Sequence, residues 1–272
     1  MTELRTPWSL TRRLQPWRVL LYAALVLLAA VFLLPVYVLL VTSFKPLDEI
    51  RSGHLLALPG QWTLAPWRSA WSTAQIGVQA TGLRPFFLNS FLVAVPSVLL
   101  STALGALNGC ILTQFRFRGA DLLFGAILLS VFIPFQIVLI PMAKMLGALG
   151  LAGSLKGLVF VNTVYGIGCT TLFFRTYYAA FPAELVRSAR MDGAGFFGLL
   201  WRVLLPNSLP IVVVAAIWQF TSIWNEFLFG LMLTTRHAVP VTVGASFFFA
   251  SSGCGVQWGV AAAVMVVAAL PP

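Results

Sequence analysis

The run from Val19 to Thr42 is almost unbroken leucine, valine and alanine and carries no charge. A stretch of about 20 such residues is long enough to cross a bilayer core as a helix. Comparable runs recur at about 86–113, 122–145, 158–174 and 204–233, with a shorter one at about 256–270. Inside lipid every backbone N–H and C=O must be paired within the protein, which leaves helices as the means of spanning for segments of this length. The chain is therefore expected to be an all-α integral membrane protein with six spans over 19–272, behind a basic tail at 1–18.

Composition agrees. Hydrophobic residues make up 60% of the chain and charged residues 9%, against roughly 25% charged in globular domains; mean hydropathy is +0.94. In a soluble protein the net charge of +10 would point to nucleic acid. Here basic residues flank spans and set orientation instead, so no nucleic-acid partner is expected. Cys110, Cys169 and Cys254 are scattered and odd in number, which argues against a disulfide framework or a metal site. The first run has no small-residue cleavage site after it, so no cleavable signal is expected.

The chain order gives orientation. With both ends inside, the inner segments hold Arg5, Arg12, Arg13, Arg18, Arg116, Arg118, Arg175, Arg187, Arg190 and Arg202. The outer ones hold Lys45, Arg51, Arg68, Arg84, Lys144, Lys156 and Arg236. The bias is modest but strongest in the short tail and the 116–119 turn, where it counts most. The long outer segment Ser43 to Pro85 carries Trp62, Trp67 and Trp71, which suit an interfacial belt or a packed cap. A second polar link is expected from Thr234 to about Gly255.

Between two apolar runs lies Phe181 to Pro210, holding Glu184, Arg187, Arg190, Asp192 and Arg202. Such charge cannot face lipid. Pro182 suits a helix start, Glu184 complements the dipole there, and Gly193 allows a sharp turn between two short helices. Met191, Ala194 and Phe197 fall at helical spacing on one face, with Arg187 and Arg190 elsewhere. By its residues alone this is either a helix that docks in a partner's groove or an interfacial anchor on membrane lipid.

The block Arg187-Ser188-Ala189-Arg190-Met191-Asp192-Gly193-Ala194, followed by Val203-Leu204-Leu205-Pro206, resembles the EAA loop of bacterial ABC-importer permeases. Gln219 to Phe229, with Trp224-Asn225-Glu226-Phe227 at its centre, is similar to the signature of carbohydrate-importer permeases of the maltose-transporter type. Ser43-Phe44-Lys45-Pro46, Phe87-Leu88-Asn89-Ser90, Phe115-Arg116-Phe117-Arg118-Gly119 and Pro134 to Pro141 extend the likeness over nearly the whole chain, which looks most like the glucose/mannose-type branch. The resemblance implies a type I importer permease fold in the bacterial cytoplasmic (inner) membrane. It implies a second permease subunit, an ATP-binding-cassette ATPase dimer and an extracytoplasmic sugar-binding protein as partners. The coupling loop would lie at 178–203, with Glu184, Arg187, Ser188, Ala189, Arg190, Asp192, Gly193 and Ala194 as coupling residues. One departure stands out: Arg187 occupies the position of the motif's own glutamate, so no carboxylate contact is available there.

Candidates for the translocation pathway are Asn89, Gln136, Asn162, Gln219, Asn225 and Glu226. Glu226 is the one acid inside an expected span, and an intramembrane carboxylate is costly. It either bonds sugar hydroxyls near the cavity or sits structurally at the outer end of span five; the amides either line a polar path or bond a neighbouring helix. Arg236 and His237 are expected as solvated loop residues. Gly150 to Lys156 has the wrong spacing for a P-loop, and His54 and His237 lie in outer loops. No enzyme activity, cofactor or metal is expected of this chain, so nucleotide would bind a separate subunit. The alternatives are a secondary transporter and an importer permease for a non-sugar solute. Finally, Gly259 to Leu270 is roughly a dozen residues, about 18 Å of helix, and Pro271-Pro272 cannot extend it; the sixth span is expected to be incomplete.

Overall fold

A computed structural model describes residues 16–77, 80–115, 117–235, 237–252 and 257–271. Among these the regular elements are helices, with an isolated bridge between Gly153 and Thr234. Helix α1 (Pro16–Ser43) leads into a cap made of α2 (Leu47–Arg51), α3 (Ala65–Arg68) and a π-helical turn, Ser69–Thr73. The bundle follows: α4 (Arg84–Gln114), α5 (Ala120–Phe132), α6 (Phe135–Ala148) and α7 (Leu155–Ala179). A polar excursion holds α8 (Ala183–Met191), α9 (Phe196–Gly198) and a π-helical stretch, Leu199–Leu204. The chain closes with α10 (Leu209–Trp224), α11 (Leu228–Leu233), α12 (Val241–Ser252) and α13 (Trp258–Ala269).

At the centre α4 packs on α7, and small residues let the backbones approach. A Cβ on Gly105 would come within 2.5 Å of Thr170, and one on Gly109 within 2.7 Å of Phe174. The Thr170 hydroxyl lies 2.8 Å from the carbonyls of Ser101 on α4 and of Gly166 on its own helix. Helix α1 stands apart, exposed along most of its length, and meets the rest chiefly through α13. Three apolar clusters stack along the bundle. One lies under the cap around Phe86, Trp224 and α13, one at mid-height around Val161 and Phe229, and one beneath α8 around Phe174 and Leu204.

Among the described residues, four helical segments are long and apolar enough to cross a membrane, and five if α5 and α6 count as one broken span. The run expected as a single span at 122–145 is split, with α5 and α6 meeting at 103°. Pro134 has no N–H and holds Ile133 extended (ψ 119°), so the helix cannot continue. The expected span 204–233 also divides, at Asn225 to Phe227, between α10 and α11. The link expected as polar from Thr234 contains a helix, α12, because Val241, Val243 and Phe248 bury against Phe86 and α13. Helix α13 has 12 residues, short of the roughly 20 needed to span.

Candidate functional site

The segment after α7 is built around Gly193. Pro182 precedes α8, Glu184 sits in its first turn and Arg190 in its last, each complementing the helix dipole. The helix stops in a Schellman arrangement. Gly193 takes φ +82°, its N–H donates to the Arg190 carbonyl (3.1 Å), and the Ala194 N–H donates to the Ala189 carbonyl (2.9 Å). A left-handed backbone of this kind costs a residue with a Cβ roughly 1–2 kcal/mol, which explains the glycine. The chain then reverses into Phe196 and the π-helical stretch.

Contacts to α4 and α7 hold this segment to the bundle. Val186 buries among Phe174, Tyr178, Leu199 and Leu204. The Arg190 Nη2 donates to the Gln114 carbonyl at 2.6 Å, and the guanidinium lies 5.6 Å from the Phe115 ring centroid. Gln114 is the last residue of α4, so a cation meets a carbonyl that the helix leaves unpaired. At the same end, Arg175 on α7 lies over the Phe124 ring (3.7 Å) and 3.9 Å from Asp121. The outward surface mixes charge and apolar area. Glu184, Arg187, Ser188, Asp192 and Gly193 are exposed, as are Leu185, Met191 (82%) and Phe197 (67%). Of the face expected from Met191, Ala194 and Phe197, the first and last project outward, whereas Ala194 and also Ala189 are half-buried. The Ser188 hydroxyl is turned back to the Leu185 carbonyl, 3.1 Å away.

The polar residues of the bundle do not converge on one point. Asn89, near the start of α4, donates to the carbonyls of His237 (3.1 Å) and Val239 (3.0 Å) and ties down the loop before α12. Asn162 and Gln219 are buried together between α7 and α10. The Gln219 amide donates to the Asn162 carbonyl (3.3 Å), the Asn162 amide to the Leu158 carbonyl (3.0 Å), and a Cβ on Gly166 would overlap the Gln219 amide. Gln136 is exposed in the first turn of α6 beside the break, and Asn225 is exposed with its amide on the Thr221 carbonyl at 3.0 Å. Glu226 occupies the α10–α11 break, where its carboxylate accepts from the N–H groups of Phe229 (2.6 Å) and Gly230 (3.0 Å) and so caps α11. Its carbonyl accepts from the Thr242 hydroxyl at 2.9 Å. His237 is exposed; Arg236, Arg116 and Cys254 lie outside the described residues.

Two positions to which the sequence assigns no role of their own carry the opposite end. Ser90 accepts from the Val241 N–H at 2.8 Å, fixing the start of α12. Lys45, counted among the basic residues of the outer segment, is 1% exposed and donates to the His54 carbonyl at 2.7 Å. The signal for Ser90 was its place beside Asn89 at the head of a span. For Lys45 it was only the apolar neighbours Phe44 and Leu47.

Comparison with known proteins places this architecture. Residues 97–271 match the family model described as "binding-protein-dependent transport system inner membrane component". A probable ABC transporter permease protein of Pyrococcus horikoshii is 36% identical over 96% of this chain and 91% of its own. A diacetylchitobiose uptake system permease protein of Streptomyces coelicolor is 28% identical over 92% and 80%. In fold, the chain resembles one in the crystal structure of a bacterial ABC transporter involved in import of the acidic polysaccharide alginate, with TM-score 0.80, 19% identity and coverage of 98% and 95%. With its long apolar helices and the exposed, glycine-turned segment between α7 and α10, this multi-pass membrane chain belongs to the family of inner membrane components of binding-protein-dependent transport systems.

Proposed function

We propose that the chain is the transmembrane permease subunit of an ATP-driven, binding-protein-dependent importer of a carbohydrate, acting by alternating access in the bacterial cytoplasmic membrane. A second permease completes the pathway. An ATP-binding-cassette ATPase dimer closes on nucleotide, and an extracytoplasmic binding protein delivers the sugar. The chain itself carries no catalysis. The observation that carries this reading is the α8 surface: Leu185, Met191 and Phe197 project outward among Glu184, Arg187 and Asp192, on a segment fastened to α4 by Arg190 and seated on α7 by Val186. An apolar edge with charged flanks suits a groove on a soluble partner. Force applied there passes to the two central helices through side chains already in contact. The carbohydrate assignment draws on the Trp224-Asn225-Glu226-Phe227 block and on the uptake named for the Streptomyces relative.

In the complete transporter in proteoliposomes, Gly193→Val strains the turn by roughly 1–2 kcal/mol and is expected to abolish sugar uptake while ATP hydrolysis persists. Asp192→Ala is expected to act in the same direction, more weakly. Uptake that stays proportional to hydrolysis in both variants counts against coupling through this segment. Uptake without any ATPase subunit would assign the chain to the secondary transporters.

A further inference from the structure

At the end of the bundle opposite α8, the stretch linking α1 to α4 forms a cap with its own clefts. Its centre is the π-helical turn Ser69–Thr73, a rare geometry that recurs at functional sites. The turn is fixed from beneath. Ala70 is fully buried, the Leu83 N–H donates to its carbonyl at 2.9 Å, and Gly82 (φ +62°) lies so close that a Cβ there would overlap the Trp71 backbone. Three clefts adjoin the turn, of about 570, 350 and 280 Å³, and Ser69 lines all three.

The largest of the three is walled by Trp62, Thr63, Arg68, Ser69, Ser72 and Thr73, with Leu64 and Ala65 between them. The Trp62 ring is tilted against Phe44 with centroids 5.7 Å apart, yet the residue is 66% exposed. The hydroxyls are only partly used: Ser72 donates to the Arg68 carbonyl (2.7 Å), Thr73 to the Ser69 hydroxyl (3.3 Å), and Thr63 accepts from the Ala65 N–H (3.1 Å). A hydroxyl offers one donor and two acceptor positions, so each keeps capacity. No carboxylate lines the cleft, and Arg68 has no ion pair among the described residues. An apolar solute would leave these hydroxyls dry, at a cost. A flat indole beside a row of hydroxyls and a guanidinium fits a solute with an apolar C–H face and hydroxyl edges.

We propose that this cleft is a docking subsite for a neutral sugar ring, stacked on Trp62 and hydrogen-bonded by Ser69, Thr73 and Arg68, outside the pathway through the bundle. It rests on the carbohydrate reading above. The test uses the complete transporter in lipid nanodiscs without its binding protein. Glucose, maltose and diacetylchitobiose serve as probes, and saturation-transfer NMR is the readout. The expected result is saturable transfer to sugar ring protons, unaffected by inorganic phosphate and weakened about tenfold by Trp62→Ala. Thr73→Val, which keeps the side-chain volume, should weaken it in the same sense and stands independently if Trp62→Ala disturbs the packing on Phe44. Three results overturn the proposal: no saturable binding of any probe, binding unchanged in both variants, or displacement by phosphate, which would make the cleft an anion site. Sugar uptake by the complex with its binding protein, measured alongside, separates the two readings. Uptake without cleft binding removes this proposal alone; hydrolysis without uptake of any sugar removes the carbohydrate reading with it.

Discussion

Glu226 shows how one side chain answers two demands. Its carboxylate supplies the acceptors that the first turn of α11 lacks, and thereby sets the angle at which the chain leaves α10. Glu226→Ala should cost about 1 kcal/mol and speed amide exchange at Phe229 and Gly230; Glu226→Gln, which keeps one carbonyl oxygen, should do less. Thr170 is the matching case at mid-bundle. Thr170→Val removes the hydroxyl bond to the Ser101 carbonyl and should lower stability by about 0.6 kcal/mol, the average for interhelical bonds in a membrane protein, read as a lower melting temperature in detergent. The sequence offered a structural place for Glu226 at the end of a span but neither its partners nor those of Thr170, since a threonine or a glutamate in an apolar run does not name its acceptor or donor. The Gly193 turn was legible, because the demand for a left-handed residue falls on glycine itself.

At the scale of elements, α4 and α7 form the pair on which the others are hung. Gly105→Leu or Gly109→Val would push side-chain atoms into Thr170 or Phe174, and overpacking of this kind costs typically 1–3 kcal/mol. Loss of the monodisperse species on size-exclusion chromatography is the expected outcome. The long helices were readable from apolar length alone. The break between α5 and α6 was not, because Pro35, Pro96 and Pro141 all lie inside helices that continue through them. What separates Pro134 from these is that Ile133 is extended, a tertiary outcome that composition does not encode. Helix α12 was missed for a related reason. Its ends, Val241-Thr242 and Ser251-Ser252, read as loop, and only burial of Val241, Val243 and Phe248 under the cap makes the segment helical.

For the whole molecule, the two ends differ in kind. One presents α8 with exposed charge and apolar side chains; the other presents a cap with a cleft that carries Thr63, Ser69, Ser72 and Thr73. The chain also leaves apolar side chains exposed along α4 and α10, including Leu92, Leu99, Ile217 and Trp218. Co-expression with the second permease proposed above is expected to raise the melting temperature relative to the chain alone, since a partner that binds only the folded state stabilises it. The sharp corner at Ile133-Pro134 carries a further consequence. The helix break leaves the last carbonyls of α5 and the first amides of α6 without the usual i→i−4 partners, only the Ile137 N–H turning back to the Pro134 carbonyl at 3.0 Å among the backbone bonds of the described residues. Phe132 and Ile133 are exposed (79% and 45%). Hydrocarbon cannot solvate such groups, and irregular backbone at that depth survives only against another protein or beside water. A subunit left alone in the bilayer would thus thin or hydrate the lipid around this corner, a defect that the second permease proposed above would relieve by covering it.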